Sequence, residues 1–261
     1  MNLILRTFSA IILLPIVIYL IHLGGWPFKI LIGVVLSLCL YEFTMMTTKF
    51  AETRILTMST AVAILSLVII HTQSLAAAPI ILSLACFVVG ALFVFKTNLS
   101  KEHFAQACIL LFGLFYCVGG LGSLYLLDAT FIFLALIVTF SSDTFAYFAG
   151  RIFGKHKLHE AVSPSKTWEG AIAGALGCIA IPFAFQNLLS ISTSDILWVA
   201  IPSAVFAPVG DLIESRLKRL FDIKDSGQLL PGHGGFLDRI DALLIVAPWV
   251  LTYAFLIRPL C

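Results

Sequence analysis

Long apolar runs separated by short polar connections dominate the chain. Runs at 7–23, 27–47, 55–71, 75–95, 104–126, 129–149, 168–189, 195–214 and 239–257 each approach the roughly 20 residues a helix needs to cross a hydrocarbon core. None shows the period-two alternation of a membrane barrel strand. The pattern predicts an all-α fold, a polytopic transmembrane helical bundle of about nine spans. The first run reads as a retained span rather than a signal peptide, because only Arg6 precedes it and no small-residue cleavage site stands before Gly24.

Composition supports the pattern. Apolar residues make up 60% of the chain and charged residues 11%, against about 25% charged in an ordinary soluble domain. A soluble globule would lack the polar side chains to cover itself. Disordered, collagenous and disulfide-scaffold classes fail on charge, glycine period and cysteine pattern. Numbering the nine-span loops alternately leaves Arg6, Lys29 and Arg258 on one side and every other lysine and arginine of the 16 on the opposite side. By the positive-inside rule, both termini lie outside the cytoplasm and the basic loops lie within it. The formal net charge of +2 therefore describes a dipolar protein with a basic face suited to anionic headgroups or phosphates. No basic, aromatic-interleaved soluble segment exists to hold nucleic acid. Cys39, Cys86, Cys108, Cys117, Cys178 and Cys261 form no CxxC pair and read as small apolar residues.

Two regions differ in content. Residues 1–127 form an N-terminal hydrophobic helical region in which Glu42 stands out, read as pairing with another helix or reaching the interface. Gly113, Gly119, Gly120 and Gly122 suggest close helix contact there, as Gly170 and Gly174 do further on. Residues 128–261 form a C-terminal catalytic transmembrane region with cytoplasmic loops 150–167 and 215–238. Asp143, Glu169, Asp211, Glu214, Asp238 and Asp241 all fall within or at the ends of its spans. A charge at a span centre costs about 2.5–3.5 kcal/mol, so such residues face polar cavities. Six at cytoplasmic span ends predict one shared, water-filled pocket.

The two loops carry the chemistry. In the first, Thr167 is the expected cap of the following helix, and Lys166 beside its amides reads equally as part of an anion site or of a solvated basic loop that follows the positive-inside rule. In the second, Asp211, Glu214, Ser215 and Lys218 follow an i, i+3, i+4, i+7 spacing that places them on one helix face. Asp238 and Asp241 share a face at the start of the next helix, where the macrodipole favours carboxylates. Glycines in the loop between the two helices allow backbone to approach a phosphate closely. Hard oxygen donors without a histidine or cysteine cluster favour Mg²⁺ over zinc. Carboxylates, lysines and arginines around one pocket fit phosphoryl or nucleotidyl transfer. No Walker A motif is present.

The stretch 215–241 resembles the signature of the phosphatidate cytidylyltransferase, or CDP-diacylglycerol synthase, family. The matching positions are Ser215, Lys218, Arg219, Lys224, Asp225, Gly227, Pro231, His233, Gly234, Gly235, Asp238, Arg239 and Asp241. Upstream, Asp143, Tyr147, Gly150 and Arg151, and the run Ser163-Pro164-Ser165-Lys166-Thr167-Trp168-Glu169-Gly170, look like further family segments. The resemblance is specific over about 140–245. It implies transfer of CMP from CTP to phosphatidic acid, giving CDP-diacylglycerol and pyrophosphate in phospholipid biosynthesis. It implies Asp211, Asp238, Lys166 and Lys224 as catalytic residues. Asp211 and Asp238 are the first choices as metal ligands, with Asp241 and Asp143 next, for Mg²⁺ and room for a second cation. Lys166, Lys224 and Arg239 would bind phosphates, with Arg219 weaker. Ser163, Ser215, Lys218, His233, Gly234 and Gly235 complete the expected substrate-binding set.

Two other functions stay open on sequence: a CTP-dependent lipid kinase, and an ion or solute transporter, since intramembrane acids also mark ion pathways. The expected setting is a bacterial cytoplasmic membrane, with the active site facing the cytoplasm. Membrane lipids are expected partners, and a homodimer is compatible with a glycine-bearing bundle.

Overall fold

The computed structural model describes residues 2–47, 101–227, 229 and 234–260. The spans expected at 55–71 and 75–95, and His233, lie outside the described residues.

Helices α1 (Asn2–Leu23), α2 (Gly25–Thr47), α3 (Lys101–Leu126) and α4 (Ala129–Phe153) precede a small hairpin of β1 (Lys157–His159) and β2 (Ser163–Thr167). Helix α5 (Trp168–Ala184), the short α6 (Gln186–Leu189), α7 (Thr193–Leu220) and α8 (Leu237–Thr252) follow, and a π turn and a 3₁₀ turn extend α8 to Leu260. Segments Gly25–Thr47, Cys108–Leu126, Ala129–Phe153, Thr193–Leu220 and Leu237–Ile257 are each long and apolar enough to cross a membrane. The protein is an integral membrane protein. Among the described residues, Leu13–Leu23 and Trp168–Ala184 are apolar but shorter.

The helix starts follow local chemistry. Asp128 caps α4 by accepting from the Phe131 amide, and Ser192 and Asp195 form a reciprocal capping box at the start of α7. Thr167 caps α5 as expected, its Oγ1 accepting from the Gly170 amide at 3.2 Å. The segment read as a loop over 150–167 instead contains an antiparallel hairpin, pairing Lys157 with Thr167 and His159 with Ser163. Lys157 Nζ closes its open side on the Pro164 carbonyl at 2.6 Å.

The chain forms two compact units, one of Met1–Leu126 with Asp225–Leu237, the other of Leu127–Lys224 with Asp238–Cys261. In the first, Leu36, Cys39 and Phe43 of α2 and Leu114, Cys117 and Leu121 of α3 are fully buried. Phe43 takes the space a side chain at Gly113 would need, whereas Gly119 and Gly122 face open space. In the second, Leu134, Ala135 and Val138 of α4, Cys178 of α5 and Val199 and Ala200 of α7 form the core. Here α4 and α5 touch through small residues: a Cβ at Gly174 would stand 2.8 Å from the Ser142 carbonyl oxygen. Without a hydrophobic driving force between helices in lipid, such close backbone approach supplies the packing.

Candidate active site in the second unit

Gly210 sets the register of α7 against α8. A Cβ there would meet Ala242 Cα and the Asp241 carbonyl oxygen at 2.9 Å, so only glycine lets the backbones approach this closely. That contact brings Asp241 of α8 beside Asp211, the next residue of α7. Asp143 of α4 completes the group. Asp143, Asp211 and Asp241 interact electrostatically with one another, and Lys166 at the end of β2 acts on both Asp143 and Asp241. Lys166 Nζ pairs directly with Asp211 Oδ2 at 2.5 Å. Ser215, one turn along α7, donates its hydroxyl to Asp211 Oδ1 at 3.3 Å. Asp241 is buried, and its Oδ1 accepts from the Ala242 amide at 2.7 Å.

A second group lies along the same face of α7. Lys218 Nζ stands 2.5 Å from Glu214 Oε2 and 2.7 Å from Asp238 Oδ1. Glu214 has no exposed side-chain surface, and Lys218 is the cation that makes two carboxylates tolerable there. Asp241 links the groups, acting electrostatically on Glu214 as well as on Asp211. Of the four expected metal ligands, Asp211 associates with Asp143 and Asp241, whereas Asp238 pairs with Lys218 beside Glu214.

Arg219 spends its donors on backbone, Nε to the Val162 carbonyl at 3.5 Å and Nη1 to that of Ile223 at 3.2 Å, tying the end of α7 to the hairpin. Lys224 and Arg239 are exposed. Ser163 opens β2, its hydroxyl 3.5 Å from that of Ser165. Gly234 has φ +84°, a left-handed conformation that favours glycine, and Gly235 is buried in the first unit. Glu169, counted with the pocket acids, turns elsewhere: its carboxylate accepts from the Lys155 and His156 amides and lies 2.6 Å from His156 Nδ1. It anchors the hairpin rather than lining the pocket.

A groove of about 510 Å³ lies between the hairpin and α7, lined by Val162, Val209, Leu212, Ile213 and Leu217, with His159 and Arg216 as its basic groups. Sequence periodicity places the α7 residues on one helix but cannot reveal the hairpin that forms the other wall.

The site's donor set suits a hard dication, since every acid contributes carboxylate oxygen. Among the described residues no three acidic, histidine or cysteine side chains converge as a ready-made ligand cage. Mg²⁺ does not require one, because it is commonly held by one or two carboxylates together with substrate phosphates.

Residues 4–257 match the sequence model described as the Cytidylyltransferase family. The chain is 39% identical over 161 residues to the phosphatidate cytidylyltransferase of Staphylococcus epidermidis, covering 58% of this chain and 61% of that protein. It is 45% identical over 123 residues to the protein of that name from Bacillus subtilis, 46% of each chain. The Staphylococcus aureus protein of that name is 37% identical over 161 residues, 58% of this chain and 61% of its own length. The match thus spans about three fifths or less of these relatives.

Proposed function

We propose that this chain, which belongs to the cytidylyltransferase family, transfers CMP from CTP to phosphatidic acid, forming CDP-diacylglycerol and pyrophosphate. The observation that carries the reading is the ion pair of Lys166 with Asp211, which joins two sequence-distant segments into one acidic and basic site. The names of the relatives supply the substrate class.

A phosphate oxygen of phosphatidate attacks the α-phosphorus of CTP in line, the α–β phosphoanhydride bond breaks, and pyrophosphate leaves with the electron pair. Such transfer is governed by positioning and charge neutralisation. Lys166, Lys224 and Arg239 bind phosphate oxygens. Asp211, with Asp241 or Asp143 beside it, would hold Mg²⁺ together with substrate phosphates, and Asp238, three residues before Asp241, pairs with Lys218. Bound there, the ion neutralises charge that develops on the leaving pyrophosphate. Ser215 orients the Asp211 carboxylate through its hydroxyl. The apolar groove beside Arg216 has room for part of an acyl chain, which supports a substrate arriving from the bilayer.

The finer topology belongs to the same proposal: about nine spans, both termini outside, and the site facing the cytoplasm of a bacterial inner membrane. A reporter fused at Cys261 and active only in the cytoplasm would reject it.

The deciding experiment incubates purified protein with labelled CTP, Mg²⁺ and phosphatidic acid. Pyrophosphate release with a CMP-bearing lipid is expected. CDP release with a phosphorylated lipid would replace the reading with a lipid kinase, and neither product would remove it.

A further inference from the structure

Glu42 lies in the last turns of α2, within the first unit, and is 1% exposed among Leu40, Phe43 and Thr44, all buried. Among the described residues no lysine or arginine pairs with it. Its partners come from the stretch 225–237, which belongs to the same unit. Glu42 Oε2 accepts from the Ser226 hydroxyl at 3.2 Å and from the Leu237 amide at 2.9 Å. Leu237 is the first residue of α8, so its amide has no partner within its own helix. A buried carboxylate at that position satisfies the amide and is favoured by the positive end of the helix dipole.

Two glycines of the signature make the contact possible. A Cβ at Gly227 would overlap Glu42 Oε1, and one at Gly235 would overlap Ser226 Oγ and crowd Glu42 Oε2. Both ends of the loop therefore close onto one side chain contributed from far upstream.

We infer that Glu42 is a positioning residue that clamps Ser226–Gly227 and Gly235–Leu237 of the signature stretch and fixes the start of α8, one residue before Asp238. The inference deepens the proposed transferase reading and rests on it for its catalytic consequence. Glu42 acts by accepting from Ser226 and Leu237, so its acceptor oxygen matters more than its charge.

Hydrogen exchange by mass spectrometry on the full-length protein in detergent, paired with CTP-dependent turnover, tests it. Glu42→Leu removes both hydrogen bonds at similar volume. Exchange across 226–238 should quicken about tenfold to a hundredfold, with α4 and α5 unchanged, and kcat should fall by a similar factor. Glu42→Gln keeps an acceptor oxygen and should restore both readouts to near wild type. If Glu42→Leu does not fold, Gly235→Ala displaces the same contact from the loop side and should quicken the same peptides. Wild-type exchange of the loop in Glu42→Leu or Gly235→Ala would overturn the inference, as would a Glu42→Gln loop as labile as the leucine variant. A wild-type protein without cytidylyltransferase activity would remove the proposed function, while the exchange data would still decide the clamp.

Discussion

Lys166 and Asp211 meet at 2.5 Å although one ends a hairpin strand and the other lies deep in α7. Both are partly shielded, with 20% and 34% of their side chains exposed, so neither is screened as a surface ion pair would be. The pair is the point at which the hairpin, α4, α7 and α8 converge on one charged site.

If the two residues act as a unit, Lys166→Met and Asp211→Asn should each lower kcat by about 10²–10³. The double variant should be little worse than either single one, because groups acting together are strongly non-additive. Steady-state rates with CTP and phosphatidic acid measure this, and fully additive losses would show that the residues work separately.

Chelation should abolish turnover and Mg²⁺ should restore it. Asp143→Asn, Asp241→Asn and Asp238→Asn separate the roles of the acids: the first two should raise the Mg²⁺ concentration needed for half-maximal rate. Asp238→Asn should abolish turnover if its carboxylate also holds the ion. Turnover of the wild type in excess chelator would refute the metal assignment.

Lys218 serves two carboxylates, one of them fully buried. Lys218→Met removes the cation paired with the buried Glu214 and should destabilise by about 3–5 kcal/mol. Adding Glu214→Gln should recover much of the loss. Thermal unfolding in detergent compares the variants; a melting point unchanged in Lys218→Met would mean the pair is not carrying the buried charge.

At the far end of α7, Asp195 gathers the Ser192 amide and hydroxyl, the Tyr253 hydroxyl at 2.8 Å and Arg258 Nε at 3.0 Å. This cluster ties the C-terminal turn to the start of α7 and lies apart in sequence from every proposed site residue. Asp195→Ala should cost about 1–3 kcal/mol through the lost cap and the lost hydrogen bond from the Tyr253 hydroxyl. Turnover at low temperature should stay near wild type, measured alongside the melting point.

Gly174→Ala forces a methyl against the Ser142 carbonyl and Ala146 and should cost about 1–3 kcal/mol, whereas Gly119→Ala meets nothing within 4 Å. Comparison of the two melting points checks the packing role directly. Equal stability would mean that α4 and α5 can separate without loss.

Much of this protein is written in local pattern. Apolar runs locate the helices because lipid offers their backbone no alternative partner, and Thr167 was identifiable as a cap from its place before Trp168. The i, i+4 contacts of Ser215 with Asp211 and of Lys218 with Glu214 follow from helical period alone. The hairpin was not legible, since Ser163-Pro164-Ser165-Lys166-Thr167 has neither hydrophobic alternation nor β-branched density. Nor could spacing tell which acids would associate. Asp241 lies beside Asp211 because Gly210 lets two helices touch, and Asp238 turns to Lys218 because a buried Glu214 already holds that cation nearby. Glu42 is the clearest case: the sequence marks it as an acid out of place in an apolar span. Only the return of the 225–237 stretch to α2 supplies the Ser226 hydroxyl and the Leu237 amide that make its burial tolerable.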